Sequence, residues 1–278
     1  MIPLDIRFVY NPYFLVPKEN TFSIIIPTCE RENLVQRAIN SIQKQTYPWW
    51  ELIVVDDGST DNTWSILEEI AKKDDRIKIF KHEIRLQRII ARNTGLREAT
   101  NEWICHLDSD DEYSRVYLEQ VNYAIKKYPE YKVFNFGAIT HKIDITRTRD
   151  PYNLQEQNDF GEAMQRFQSG IIGMGSFVYK REIHDDVGYF PNVGVPYNFA
   201  DAAKDEFPEM IEWYGTKDRS SVECKTLGNP VGDDYYLFYK ITRKYKSKML
   251  NIMPYIQYTR RGGFVDHDND FKLSARGR

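Results

Sequence analysis

Between residues 21 and 138 the sequence alternates short β-branched apolar runs with segments whose apolar residues recur at helical spacing, and few folds accept that alternation. FSIII (22–26), ELIVV (51–55), IKIF (77–80), WICHL (103–107) and KVFNF (132–136) read as strands. Between them lie helical patterns. Leu34, Val35, Ala38, Ile39 and Ile42 mark the first, and Ile66, Leu67 and Ile70 the second. The segment near 87–99 reads as a third helix, and Val116, Val121 and Ile125 mark a fourth. Strand–helix alternation at these lengths implies parallel strands joined by right-handed crossovers, with helices on both faces. The runs have few polar interruptions, as strands buried on both sides require. The fold class expected is therefore α/β, a Rossmann-like, mostly parallel sheet flanked by helices. Ser59, Thr60 and Asp61 are expected to cap the second helix.

Past residue 140 the pattern thins. KIDIT (142–146) reads as an excursion strand, and 191–231, with prolines and glycines among aromatic and acidic residues, as a long active-site loop. Asp233–Lys244 is helical, with Leu237 and Ile241 four apart, and 249–260 reads as one or two final strands. The polar, glycine-containing 261–278 reads as a flexible tail.

Composition narrows the partners. Lys and Arg number 38 against 41 Asp and Glu, a net charge of −3, so a general electrostatic grip on nucleic acid is not expected. No apolar run approaches the ~20 residues that span a bilayer. The opening MIPLDIRFVYNPYF is broken by Asp5 and Arg7, unlike a signal peptide. Three widely spaced cysteines, Cys29, Cys105 and Cys224, argue against a disulfide framework and for a reducing, cytoplasmic setting.

The chemistry sits at strand ends. Asp56-Asp57 follows the second strand, and Asp108-Ser109-Asp110-Asp111 the fourth. Open parallel sheets bind ligands outside the carboxyl ends of their strands, so both clusters should face one crevice. Five carboxylates there call for a positive charge among them, and Mg²⁺ or Mn²⁺ suits carboxylate and phosphate oxygens. Rival motifs fail. PTCEREN after the first strand has no glycine for a dinucleotide loop. No Gly-Lys pair exists for a P-loop, His82-Glu83 lacks the second zincin histidine, and Tyr113 occupies the glycine position of an EF-hand. No C-x-x-C spacing suggests zinc.

Taken together, FSIIIPTCEREN, SIQKQTYPWWELIVVDDGSTDNT, ARNTGLREATNEWICHLDSDD and the later GDDYYLFYKI resemble the family 2 glycosyltransferases, which have the GT-A fold. The resemblance implies transfer of a sugar from a nucleoside-diphosphate donor, UDP foremost, to an acceptor hydroxyl, usually with inversion. It implies that Thr28 and Asp57 contact the donor base with Asp56 close by, and that Arg92 lies beside the nucleotide. Asp108 would lie near the ribose or metal, and Asp110 would bind the Mn²⁺ or Mg²⁺ holding the diphosphate, with Asp111 as helper. Asp234 falls at the family's catalytic base, with Asp233 as neighbour and fallback. His267 stands as a candidate third metal ligand, although Gly262-Gly263 displaces the family's RRH pattern, and Arg260 and Arg261 as candidate diphosphate contacts. Trp213, Tyr214 and Tyr197 are candidate acceptor contacts.

The expected organisation is an N-terminal extension (1–20), a nucleotide-sugar-binding half (21–138), an acceptor half (139–260) and the tail. The expected acceptor is a glycan, a lipid-linked glycan or another hydroxyl compound, with peripheral membrane attachment open. Two rivals stay in view: a catalytically silent nucleotide-sugar-binding module, and a glycosyltransferase acting on modified DNA.

Overall fold

A computed structural model describes residues 16–142, 146–149, 174–190 and 233–259. Its strands are β1 (Phe22–Thr28), β2 (Trp50–Asp56), β3 (Ile77–Lys81), β4 (Trp103–His106), β5 (Glu112–Tyr113), β6 (Val133–Lys142), β7 (Thr146–Arg149), β8 (Phe177–Lys180) and β9 (Ser247–Thr259). The helices are α1 (Val35–Gln43), α2 (Thr63–Ala71), α3 (Arg88–Glu98), α4 (Tyr117–Lys127), α5 (Ile183–Val187) and α6 (Asp233–Lys244). All strands join one sheet in the order β3-β2-β1-β4-β8-β6-β9-β5, with β7 paired to β6.

The α/β expectation holds. β3, β2, β1 and β4 are mutually parallel, while β8 enters antiparallel between β4 and β6. β6 and β9 are parallel to each other. Side chains alternate between two cores, as the two-residue period of a strand demands. Ile25, Ile53, Val55 and Ile104 face one core with Ile89 and Leu96 of α3, Ile183 of α5, and Leu237 and Ile241 of α6. Ile24, Ile26, Leu52, Val54 and Cys105 face the other, with Val35, Ala38, Ile39 and Ile42 of α1, Leu67 of α2, and Leu118 and Val121 of α4. Helices thus cover both faces, and the strands read as continuous apolar runs for that reason.

Several details differ from the sequence reading. The two-residue β5 and four-residue β8 were not anticipated. Around KIDIT, β6 runs on to Lys142 and β7 begins at Thr146, making a hairpin; residues 143–145 lie outside the described set. Ser59 and Thr60 do not cap α2. They bond to the first loop instead, and only Asp61, whose Oδ1 accepts Thr63 N–H at 2.9 Å, plays a capping part.

At the amino edge of the sheet a buried carboxylate joins three elements. Glu51 of β2 accepts from Ser23 Oγ at 2.6 Å, Lys78 Nζ at 2.7 Å, and the N–H groups of Thr100 and Asn101. Burial pushes its pKa up, but the bonds from Lys78, Ser23 and Thr100 outweigh that and hold it below the ordinary value. A lowered carboxylate stabilises the fold above its unfolded pKa, and that contribution is lost as pH falls through the folded value. Glu51→Gln should therefore cost about 1–3 kcal/mol in denaturant titrations at pH 7. The gap from wild type should close once the pH is well below about 4.3.

Candidate active site at the carboxyl edge

Chain order fixes where a ligand can lie. β1 leads outward to β2 and then β3, after which the chain crosses back to place β4 on the other side of β1. That reversal leaves a crevice at the carboxyl ends of β1 and β4, where doubly wound sheets bind ligands. Thr28 and Asp56 are register partners at the ends of β1 and β2, and Asp57 N–H donates to Thr28 O at 2.8 Å. Leu107 N–H donates to Ile25 O at 3.0 Å, so the segment bearing Asp108 emerges beside β1. The β2 and β4 acidic clusters therefore flank one strand, roughly 10 Å apart laterally at two interstrand spacings.

The loop after β1 is stitched to the loop after β2. Glu30 N–H donates to Ser59 Oγ at 2.9 Å, and Glu30 Oε1 accepts from Thr60 N–H and Oγ1 at 2.8 and 3.0 Å. Glu32 Oε2 accepts from Asn62 N–H and Nδ2 at 3.1 and 2.8 Å. Asp56 is buried and accepts from the Ser59 hydroxyl and N–H; burial raises its pKa, with those bonds opposing. Among the described residues, neither Thr28 Oγ1 nor Asp56 Oδ2 has a hydrogen-bond partner, although both are buried. Buried polar atoms are ordinarily satisfied, so this adjacent pair is unusual in having no partner within the described residues.

Asp57 is oriented by groups that the sequence reading did not connect to it. Its Oδ1 meets His82 Nδ1 at 2.8 Å and accepts Leu86 N–H at 2.9 Å, while His82 Nε2 lies 3.0 Å from Thr94 Oγ1 of α3. The backbone of 84–86 reaches Asp57 only because residue 58 is glycine. A Cβ on Gly58 would lie 2.7 Å from Arg85 N and Ile84 C, and its φ of +74° disfavours any L side chain. Gly58→Ala should cost at least about 1–2 kcal/mol. It should lower Tm by roughly 2–8 °C, since Leu86 N–H must leave Asp57.

On the β4 side a tight turn presents the second cluster, closed by Asp111 N–H donating to Asp108 O at 3.0 Å. Arg92, only 1% exposed, donates from Nη2 to Asp108 Oδ1 at 2.8 Å. α3 delivers Arg92 by close packing: a Cβ on Gly95 would lie 2.5 Å from Ile25 Cγ2. Asp111 turns inward and accepts from the Tyr255 hydroxyl, whose pKa burial and the Asp111 charge drive well up. His106, just before the turn, is buried in its strand, with Nε2 2.9 Å from Tyr179 Oη; burial pushes its pKa well down.

The five carboxylates are thus not equivalent, and at least four of them have partners within the protein. Ser59, His82, Arg92 and Tyr255 engage Asp56, Asp57, Asp108 and Asp111. Asp108 (side chain 38% exposed) and the partly exposed Asp110 face outward. Among the described residues no three His, Cys, Asp or Glu side chains form a metal cage. One or two carboxylates on an accessible turn nonetheless fit Mg²⁺ or Mn²⁺, which takes most of its shell from water and phosphate.

Topology places α6 at the same edge. β9 is parallel to β6, β6 is antiparallel to β8, and β8 is antiparallel to β4, so β9 runs in the direction of β1 and β4. α6 enters β9 after two residues, and its Lys244 Nζ reaches Asp186 Oδ1 of α5 at 2.8 Å, at the amino edge. Leu237 and Ile241 pack in the sheet's core, so the helix runs back along the strands and its first turn, with Asp233 and Asp234, lies toward the carboxyl edge. His267, Arg260, Arg261, Tyr197, Trp213 and Tyr214 lie outside the described residues.

Comparison with known proteins agrees with this geometry. The structure of S. aureus TarS 1-349 in complex with UDP-GlcNAc superposes with a TM-score of 0.65 at 19% identity, over 88% of this chain and 60% of that one. The mannosyltransferase PcManGT from Pyrobaculum calidifontis, in complex with GDP-Man and Mn²⁺, gives 0.58 at 19% identity, over 91% and 63%. These likenesses establish a shared fold. The Escherichia coli UDP-Glc:alpha-D-GlcNAc-diphosphoundecaprenol beta-1,3-glucosyltransferase WfgD is 39% identical over 143 residues, 49% of this chain. The match spans 55% of that relative, and for two other curated glycosyltransferases 39% and 29%. The model named Glycosyl transferase family 2 matches residues 23–188, more than half of the sequence, including the carboxyl ends of β1, β2 and β4. The chain belongs to glycosyl transferase family 2.

Proposed function

We propose that this chain transfers a sugar from UDP to a hydroxyl of a polyprenyl-diphosphate-linked glycan, with inversion and with a divalent cation. The observation that carries the reading is the convergence of Thr28, Asp57, Asp108 and Arg92 at the switch point of the sheet. Residues 21–138 would form the donor half and 139–260 the acceptor half. Thr28, Asp56 and Asp57 would hold the base, where the two unsatisfied buried oxygens meet its polar edge. Arg92 would fix Asp108 beside the ribose and the metal.

Asp110, with Asp108, would hold Mn²⁺ or Mg²⁺, and His267 would be its third protein ligand. When bound, the cation stabilises the growing charge of the leaving diphosphate. Asp234 would take the acceptor proton as the hydroxyl attacks the anomeric carbon, and Asp233 would support the helix start. A β-1,3 linkage like that named for the E. coli relative, made from an α-linked donor, requires inversion. Among the described residues no helix is long and apolar enough to cross a membrane. A lipid-linked acceptor would then be met at the membrane surface.

The test is UDP release from UDP-sugars, UDP-glucose first, with Mn²⁺ and a GlcNAc-diphosphoundecaprenol acceptor. Acceptor-dependent UDP formation supports the reading. Absence of both turnover and UDP binding with every donor contradicts it.

A further inference from the structure

The Asp108–Asp111 turn is gripped from outside as well as from within. Arg37, on the solvent side of α1, donates from Nη2 to the Asp110 carbonyl oxygen, and its Nε lies 3.1 Å from Glu112 Oε1. Tyr255 holds Asp111 on the inner side, and the Asp111 N–H to Asp108 O bond closes the turn between them. Because a peptide unit is planar, fixing the Asp110 carbonyl fixes the 110–111 plane and so narrows where the Asp110 side chain can point.

Resting on the metal reading above, we infer that Arg37 is a positioning residue for the cation site: it sets the aim of the Asp110 carboxylate without touching metal or substrate. Mg²⁺-like ions demand near-octahedral geometry at about 2.0–2.1 Å and tolerate a loose ligand poorly. A guanidinium suits this role, since one planar group bonds the Asp110 carbonyl with one nitrogen while its charge faces a carboxylate. Glu112, the next residue but one, supplies that carboxylate as an ion-pair partner and keeps the guanidinium from swinging away. The Arg37 side chain is 36% exposed and lines an open polar groove with Asn33, Gln36 and Arg115. Truncating it lets water in rather than leaving a buried cavity, so the fold should survive.

The experiment follows UDP binding by calorimetry at rising Mn²⁺ in wild type, Arg37→Ala and Arg37→Lys, with thermal melts of each. Groups that orient metal ligands typically change metal affinity by about 10–100-fold. Arg37→Ala should therefore need at least about 10-fold more Mn²⁺ for half-maximal UDP binding, with unchanged metal-free UDP affinity and nearly unchanged Tm. Arg37→Lys, which keeps the charge but not the planar group, should fall between; it carries the test should Arg37→Ala unfold. A wild-type Mn²⁺ requirement in the variants overturns the inference. So does an equal loss of metal-free affinity, which marks general distortion of the site. A wild type that binds UDP equally with and without Mn²⁺ overturns the metal reading and this inference together.

Discussion

Asp110→Ala should reduce sugar transfer by about 10³-fold, since a cation at the leaving group is worth several kcal/mol and each 1.36 kcal/mol is a decade in rate. The loss should appear in binding as well as turnover. Asp110 sits in a turn closed by a backbone hydrogen bond, and it is partly exposed beside an Asp108 already engaged by Arg92. Removing it leaves on that turn only Asp108, already engaged by Arg92, and Asp111, turned inward to Tyr255. UDP affinity in saturating Mn²⁺ should fall to the metal-free level, while metal-free affinity, set by the Thr28–Asp57 side, should not move. Calorimetry of UDP with and without Mn²⁺, beside a UDP-release assay, separates these terms. Unchanged Mn²⁺ dependence in the variant would remove Asp110 from the metal site.

Asp234→Asn should be just as damaging to turnover and nearly silent in donor binding. A positioned base contributes about 10²–10⁴-fold, and asparagine keeps the shape while losing the proton acceptor. The first turn of α6 lies toward the carboxyl edge because the helix runs back from the start of β9, with Lys244 tied to Asp186 at the far edge. A carboxylate there is on the acceptor's side of the sugar only if the donor lies in the crevice at β1 and β4. kcat should drop by about 10³-fold, with UDP affinity held within about twofold of wild type. Comparable loss from Asp233→Asn and none from Asp234→Asn would move the base by one residue.

Much of the sheet from β1 to β4, and of its carboxyl edge, was legible in the sequence because it depends on local pattern. The alternation of Ile24 and Ile26 against Ile25, repeated in Leu52, Val54 and Ile53, is a two-core sheet written in period two. A strand end followed by aspartates is equally local, which is why both clusters lie on one edge. What stayed hidden are the pairings across the chain. Nothing near Asp111 tells that it turns to Tyr255, 144 residues away. Ser59 and Thr60 looked like helix caps because capping and loop-to-loop bonding use the same hydroxyls; the fold chose Glu30 as partner. His82 was weighed only as a failed metal motif, yet a histidine one residue past β3 falls beside Asp57 once β2 and β3 are paired. β5 and β8 escaped notice because two and four residues are too short to show a period, and their pairing is with distant strands.

On the proposed reading, carboxylates at two strand ends hold a nucleoside diphosphate, those after β2 at its base and those after β4 through a divalent cation. Calorimetric titration of UDP into the wild-type protein, once with Mn²⁺ and once with chelator, tests it directly. Binding at least about 10-fold tighter with Mn²⁺, of the order expected when a fixed metal ligand set is completed, is the predicted result. Equal affinity in the two titrations would contradict it.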